Sequence, residues 1–125
     1  MHKFILVAGM IMAGLAVGIG AFGAHGLKEV LTENQRMETF ETGVKYHFYH
    51  ALGMILIGIL MFHISNPLLG KAGLALFIGI LIFSVSLYVL SLTNIKWLGA
   101  ITPIGGLAFL IGWGMCAWAV LKAEW

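Results

Sequence analysis

His25, His47 and His50 are the groups in this sequence best equipped for chemistry, and hydroxyls accompany them. His50 stands one helical turn from both Tyr46 and His47. Ser84, Tyr88 and Ser91 follow at i, i+4 and i+7, a single stripe of a helix, and Thr102 immediately precedes Pro103. Neutral imidazoles ligate zinc or haem iron, and a serine beside an imidazole is the beginning of a nucleophile–base pair. Each of these chemistries lacks a part here. Structural zinc sites take four ligands, yet Cys116 is the single cysteine, and there is no HExxH or Cys-His haem motif. An activated serine needs a base held by a third group, and no carboxylate falls near the stripe. The sequence thus designates no catalytic residue, no metal ligand set and no cofactor. The same side chains also fit a structural role, as interhelical hydrogen bonds worth about 0.6–2 kcal/mol each in a membrane.

The elements that would carry these groups are long and apolar. Roughly 20 apolar residues in a helix cross a hydrocarbon layer about 30 Å thick. Residues 4–24, 46–65, 72–93 and 97–121 meet that length, with continuous apolarity rather than the alternation of a barrel strand. The first run is uncharged throughout and longer than a signal-peptide core of about 7–15 residues, so it reads as a retained span. Pro103, inside the fourth run, predicts a kink. Asn66-Pro67 with Gly70-Lys71, and Asn94 to Lys96, are tight turns, so spans two, three and four lie antiparallel to their neighbours. That topology brings the His25, Tyr46, His47, His50 group and the lower end of the serine–tyrosine stripe to one membrane face.

Only the first connection is long. Over residues 27–45, Leu27, Val30, Leu31, Met37, Phe40 and Val44 recur at helical spacing opposite Lys28, Glu33, Glu38 and Glu41. Thr32 with Gln35 fits a capping box, which predicts a helix starting at Glu33. Glu41 and Lys45 stand in the favourable i,i+4 order for a pair. A short amphipathic helix here would cover one end of the bundle. Tyr46, Tyr49 and Trp97 form an aromatic belt on that side, with Trp125 on the other.

Composition requires the same solvent. The 125 residues are 61% hydrophobic and only 10% charged, and the mean hydropathy is +1.01. A water-soluble domain this small could not cover its surface with so few charges. Net charge is +2 with no basic cluster, which excludes nucleic acid as a partner. Lysines distribute evenly between the two sides, so the sequence does not orient the chain. No Asp, Glu, Lys or Arg interrupts the middle of a span, which argues against carboxylate-driven transport. Small residues repeat at i,i+4 in three spans: Gly14 and Gly18 with Gly20 in the first, Gly79 in the third, Gly112 in the fourth. Such faces let helix backbones approach closely in lipid.

Four segments resemble a known family: residues 20–27 (GAFGAHGL), 42–46 (TGVKY) with 50–52 (HAL), 86–88 (SLY), and 99–107 (GAITPIGGL). The chain is similar to the YgdD/YwdK-like small membrane proteins of bacteria, almost over its whole length. Val85 and Asn94 stand where that pattern would place glycines. The resemblance implies a four-span membrane protein without an established reaction. Taken together, the expectation is an all-α, integral membrane four-helix bundle of one domain, with a short amphipathic helix between spans one and two. It would be multi-pass in a bacterial inner or plasma membrane and have the lipid bilayer, itself or another membrane protein as partners. A non-catalytic binding or assembly role fits best. An oligomeric small-molecule or ion conduit is the alternative, and a metal or haem site at the histidines is a second one.

Overall fold

The computed structural model describes residues 1–124, and over them it consists of helices and turns alone. Trp125, half of the expected aromatic belt, lies outside the described residues. Helix α1 spans His2–Ala24, α2 Lys28–Glu33 and α3 Met37–Leu60. Helix α4, Pro67–Gly79, passes through a π-helical turn at Ile80–Ser84 straight into α5, Val85–Thr93. A 3-10 turn at Lys96–Ala100 leads to α6, Thr102–Leu121. Among the described residues three helical rods are long and apolar enough to cross a membrane: His2–Ala24, Pro67–Thr93 and Lys96–Leu121. The fourth long helix, α3, carries Glu38, Glu41 and Lys45 in its first turns.

Local chemistry sets several boundaries differently from the sequence expectations. The Thr32–Gln35 capping box does not form. The Thr32 hydroxyl instead donates to the Lys28 carbonyl at 2.7 Å within α2. Gln35 then adopts φ 55, and the Arg36 amide reaches back to the Leu31 carbonyl at 2.9 Å. A left-handed residue with this six-residue return bond is a Schellman stop, and it ends α2 where the capping box would have begun a helix. The amphipathic connector is therefore two pieces, α2 and the first turns of α3. Its apolar face still covers the end of the helices: Leu31 and Phe40 are buried while Lys28, Glu33, Glu38 and Glu41 are exposed. Glu41 and Lys45 do not pair; among the described residues no ion pair joins them.

Asn66 caps α4, its side-chain oxygen accepting from the Leu68 amide at 3.0 Å, and Pro67 opens the helix. Gly70 and Lys71, expected in the turn, are already helical. Pro103 falls in the first turn of α6, where its missing N–H deprives no carbonyl of a partner. It starts a helix rather than kinking one, because the chain from Lys96 to Ala100 is the tighter 3-10 form.

Helix α3 and the α4–α5 rod occupy the middle, α1 packs along α3, and α6 packs along α4 and the π turn. Glycines govern these approaches. On α1 the packing glycines are Gly9, against Ala51 and Ile55, and Gly23, under the Phe40 ring. Gly20 meets Val44 as expected of a packing face, but Gly14 and Gly18 have nothing within 4 Å of where a Cβ would stand. The predicted GxxxG pair therefore points outward. Gly79 and Gly112 do pack, Gly79 against Phe109 and the Gly105 carbonyl, Gly112 against Leu76, Ala72 and Ala75.

Candidate functional site

The polar groups meet chiefly where α3 crosses the α4–α5 rod. Gly43 and His47 lie one turn apart on α3, and Ser84 and Tyr88 lie one turn apart on the facing helix. The Ser84 hydroxyl, fully buried, donates to the Gly43 carbonyl at 2.8 Å. The Tyr88 ring lies over Gly43, where an added Cβ would come within 2.9 Å of Tyr88 Cε1. Its hydroxyl reaches His47 Nδ1 at 2.7 Å. One bare glycine thus provides both an acceptor and the room for the ring. The other imidazole nitrogen, His47 Nε2, is buried with no partner among the described residues.

His50 has a different environment. Its Nδ1 donates to the Tyr46 carbonyl one turn back at 2.6 Å, and since a carbonyl can only accept, Nδ1 carries the hydrogen. The ring lies flat on Phe109, centroids 3.5 Å apart and planes 8° from parallel. Tyr46 leans on Phe83 of the π turn at 4.9 Å, so rings from α3, the π turn and α6 form one stack. A π turn widens the helix by one residue. Here it places Phe83 among these rings and Ser84 against Gly43.

The remaining hydroxyls are spent locally. Ser91, fully buried, donates to the Leu87 carbonyl of its own helix at 2.6 Å. Thr102 pairs with Ser86 at 2.6 Å, joining α6 to α5; Ser86 was absent from the sequence-predicted group although it sits two residues before Tyr88. A polar latch closes the same end. Asn34 donates to the Ser91 and Leu92 carbonyls at 3.0 and 3.3 Å, and Arg36 Nε donates to Asn94 Oδ1 at 3.0 Å. Asn94 takes φ 58, the conformation that a glycine at this position would adopt freely. The latch satisfies carbonyls that the end of α5 leaves open. Asn34→Ala is expected to lower stability by about 1 kcal/mol. Thermal unfolding in detergent measures this, together with faster hydrogen exchange at the end of α5.

The sequence grouped eight residues, and the structure joins most of them in pairs rather than around a common centre. His47 meets Tyr88, His50 meets Tyr46, Ser84 and Ser91 meet backbone carbonyls, and Thr102 meets Ser86. His25 stands apart, exposed at the end of α1 beside Lys28 and Glu29. The three histidines do not converge: among the described residues no three of His, Cys, Asp and Glu come together as a metal would need. Gly43, Phe83, Phe109 and Asn34 are contributors the group omitted. Gly43 had a signal in its i,i+4 spacing to His47; the two phenylalanines had none among so many apolar neighbours.

Comparisons with known proteins agree with the fold's character. Residues 19–106 match the family model described as "Protein of unknown function (DUF423)". The UPF0382 membrane protein YwdK of Bacillus subtilis is 47% identical over 121 residues, covering 96% of this chain and 98% of that protein. A UPF0382 membrane protein of Staphylococcus haemolyticus is 45% identical over 120 residues, covering 96% and 97%. One from Staphylococcus aureus is 43% identical at the same coverage. No solved structure matches the chain. With that much of its length shared, and with three helices suited to a bilayer, this chain is a membrane protein and belongs to the DUF423 family.

Proposed function

We propose that the protein is a four-span, non-catalytic component of the bacterial cell membrane that acts by assembling with a second copy of itself or with another membrane protein. In this reading α3 is the fourth span. Its charges lie in its first turns, at the membrane surface, and residues 46–60 together with the following turn lie in hydrocarbon. The non-catalytic reading is supported by where the reactive groups point. Hydroxyls and imidazoles of the helix crossings bond to one another or to backbone, and among the described residues no nucleophile is aligned with a base and a carboxylate.

The observation that carries the assembly reading is the open face of α1. Gly14 and Gly18, spaced as a GxxxG pair, meet nothing within 4 Å, and Val7, Ile11 and Leu15 beside them are exposed. Lipid gains little from covering apolar surface, but a second helix brought close over two glycines gains dispersion contacts. Gly14→Leu and Gly18→Leu are expected to weaken self-association at least tenfold in liposomes, read by energy transfer between labelled copies. Both positions are open, so the fold should tolerate either change. A wild-type protein that shows no association at high protein-to-lipid ratio would remove the self-assembly arm.

A further inference from the structure

Toward the end bearing the long connection, α1 and α3 leave a groove between them. Its inner part, of about 310 Å³, is lined by Ala16, Val17, Gly20, Phe48 and Tyr49 and is almost wholly apolar. Its outer part, of about 200 Å³, runs past Gly23, Met37, Phe40 and Glu41. Gly20, Val44 and Lys45 border both parts, so the two are one continuous trough. Glu41 and Lys45 are exposed and do not pair with each other.

Depth gives these charges an order. From Tyr46 to Leu60 the helix rises about 22 Å, and the turn and extended stretch up to Asn66 covers the rest of a hydrocarbon layer about 30 Å thick. Lys45 therefore stands at the edge of the hydrocarbon, Glu41 four residues, about 6 Å, farther out, and the apolar part of the groove farther in. From inside to outside the groove presents apolar wall, then a cation, then an anion. A phospholipid with an ethanolamine-type headgroup presents the complement in the same sequence: acyl chain, phosphate, then primary ammonium. We infer that this groove is a binding site for a zwitterionic glycerophospholipid carrying a primary ammonium, with an acyl chain against Gly20 and Ala16, its phosphate on Lys45 and its ammonium on Glu41.

A wholly anionic glycerol headgroup would satisfy Lys45 but set negative charge beside Glu41. A quaternary ammonium would offer Glu41 no hydrogen to accept. The site should therefore rank a primary-ammonium lipid above both.

The proposal rests on α3 lying in the membrane. Its test uses the full-length protein in mild detergent, offered equimolar phosphatidylethanolamine and phosphatidylglycerol and examined by native mass spectrometry. The expected ratio of bound ethanolamine to glycerol lipid is at least fivefold. Glu41→Gln should bring that ratio close to one, and Lys45→Gln should cut retention of both lipids at least fivefold. Gly20→Leu, whose Cβ would already lie 3.2 Å from Val44 Cγ1, should displace the acyl chain and lose both lipids as well. Glu41 and Lys45 are exposed, so unchanged thermal unfolding of their variants separates lost binding from lost fold. Equal retention of the two lipids by the wild type, or undiminished retention by Lys45→Gln, means contact with bulk lipid only and overturns the site. Failure of the membrane reading itself would look different, as a protein that stays dispersed without detergent.

Discussion

Gly105→Ala should be the most damaging single methyl added to this protein, lowering its stability by about 3 kcal/mol, the upper end of ordinary over-packing. Gly105 lies in the second turn of α6 against the π turn, and a Cβ there would come 2.7 Å from Phe83 Cβ and 2.8 Å from Phe83 Cα. Backbone cannot rotate aside as a side-chain tip can, so α6 would have to move away from the π turn. Such a move also opens the contact between Gly79 and the Gly105 carbonyl, which stands 3.2 Å from the Gly79 Cβ position, and it unstacks Phe109 from His50. Two neighbours serve as controls. At Gly106 the nearest atom to a Cβ is 3.8 Å away, and at Gly114 there is none within 4 Å. Alanine at either position should be neutral or gain up to about 1 kcal/mol from helix propensity. Reversible unfolding in mixed micelles compares the three. A Gly105→Ala protein as stable as the Gly106→Ala protein would mean that the α6–π contact contributes little.

Much of this architecture is legible in the residues because hydrocarbon imposes a simple rule. A run without charges must be helical to satisfy its own backbone, and the runs at the two termini and before Asn94 show plainly. Asn66-Pro67 also shows, since a capping side chain followed by a residue without an N–H fits only a helix start. What sequence spacing does not show is which small-residue face turns inward. Gly14 and Gly18 match the GxxxG pattern as well as any pair in the chain, yet the packing glycines of α1 are Gly9, Gly20 and Gly23. Every residue near them is apolar, so periodicity carries no contrast between a lipid-facing and a helix-facing side. The π turn is equally silent, because Ile80 to Ser84 has the composition of the α-helix around it. The capping box at Thr32 failed for another reason: a Schellman stop three residues on satisfied the same backbone groups first.

The candidate site was legible as a set of residues but not as a set of bonds. Hydroxyls and imidazoles at one end of the helices were evident from topology. Their pairing depends on the crossing of α3 with α5, fixed by Gly43 beneath the Tyr88 ring. Intervals of i,i+4 on both helices, Gly43 to His47 and Ser84 to Tyr88, are consistent with that crossing, but nothing in one sequence links the two pairs. His25 was drawn in by its place at the end of a span, and it remains at the surface because α1 ends there and turns away.

The His47–Tyr88 contact supplies the second large effect. Among the described residues the 2.7 Å bond is the only one either side chain makes to a side chain, and His47 Nε2 already lacks a partner. Tyr88→Phe would leave a buried imidazole, 3% exposed, with both nitrogens unsatisfied, at an expected loss of about 2 kcal/mol. His47→Leu would instead strand the Tyr88 hydroxyl and should cost about 1 kcal/mol. Removing both should cost less than the sum, because an apolar pair of similar shape leaves nothing unsatisfied. A coupling of about 1–1.5 kcal/mol is expected, within the range for interhelical bonds in membranes. Unfolding of the two single variants and the double one in the same micelles completes the cycle. Additive losses would mean the bond stabilises nothing beyond what each side chain finds elsewhere, and the crossing of α3 and α5 would then depend on Gly43 and Ser84 alone.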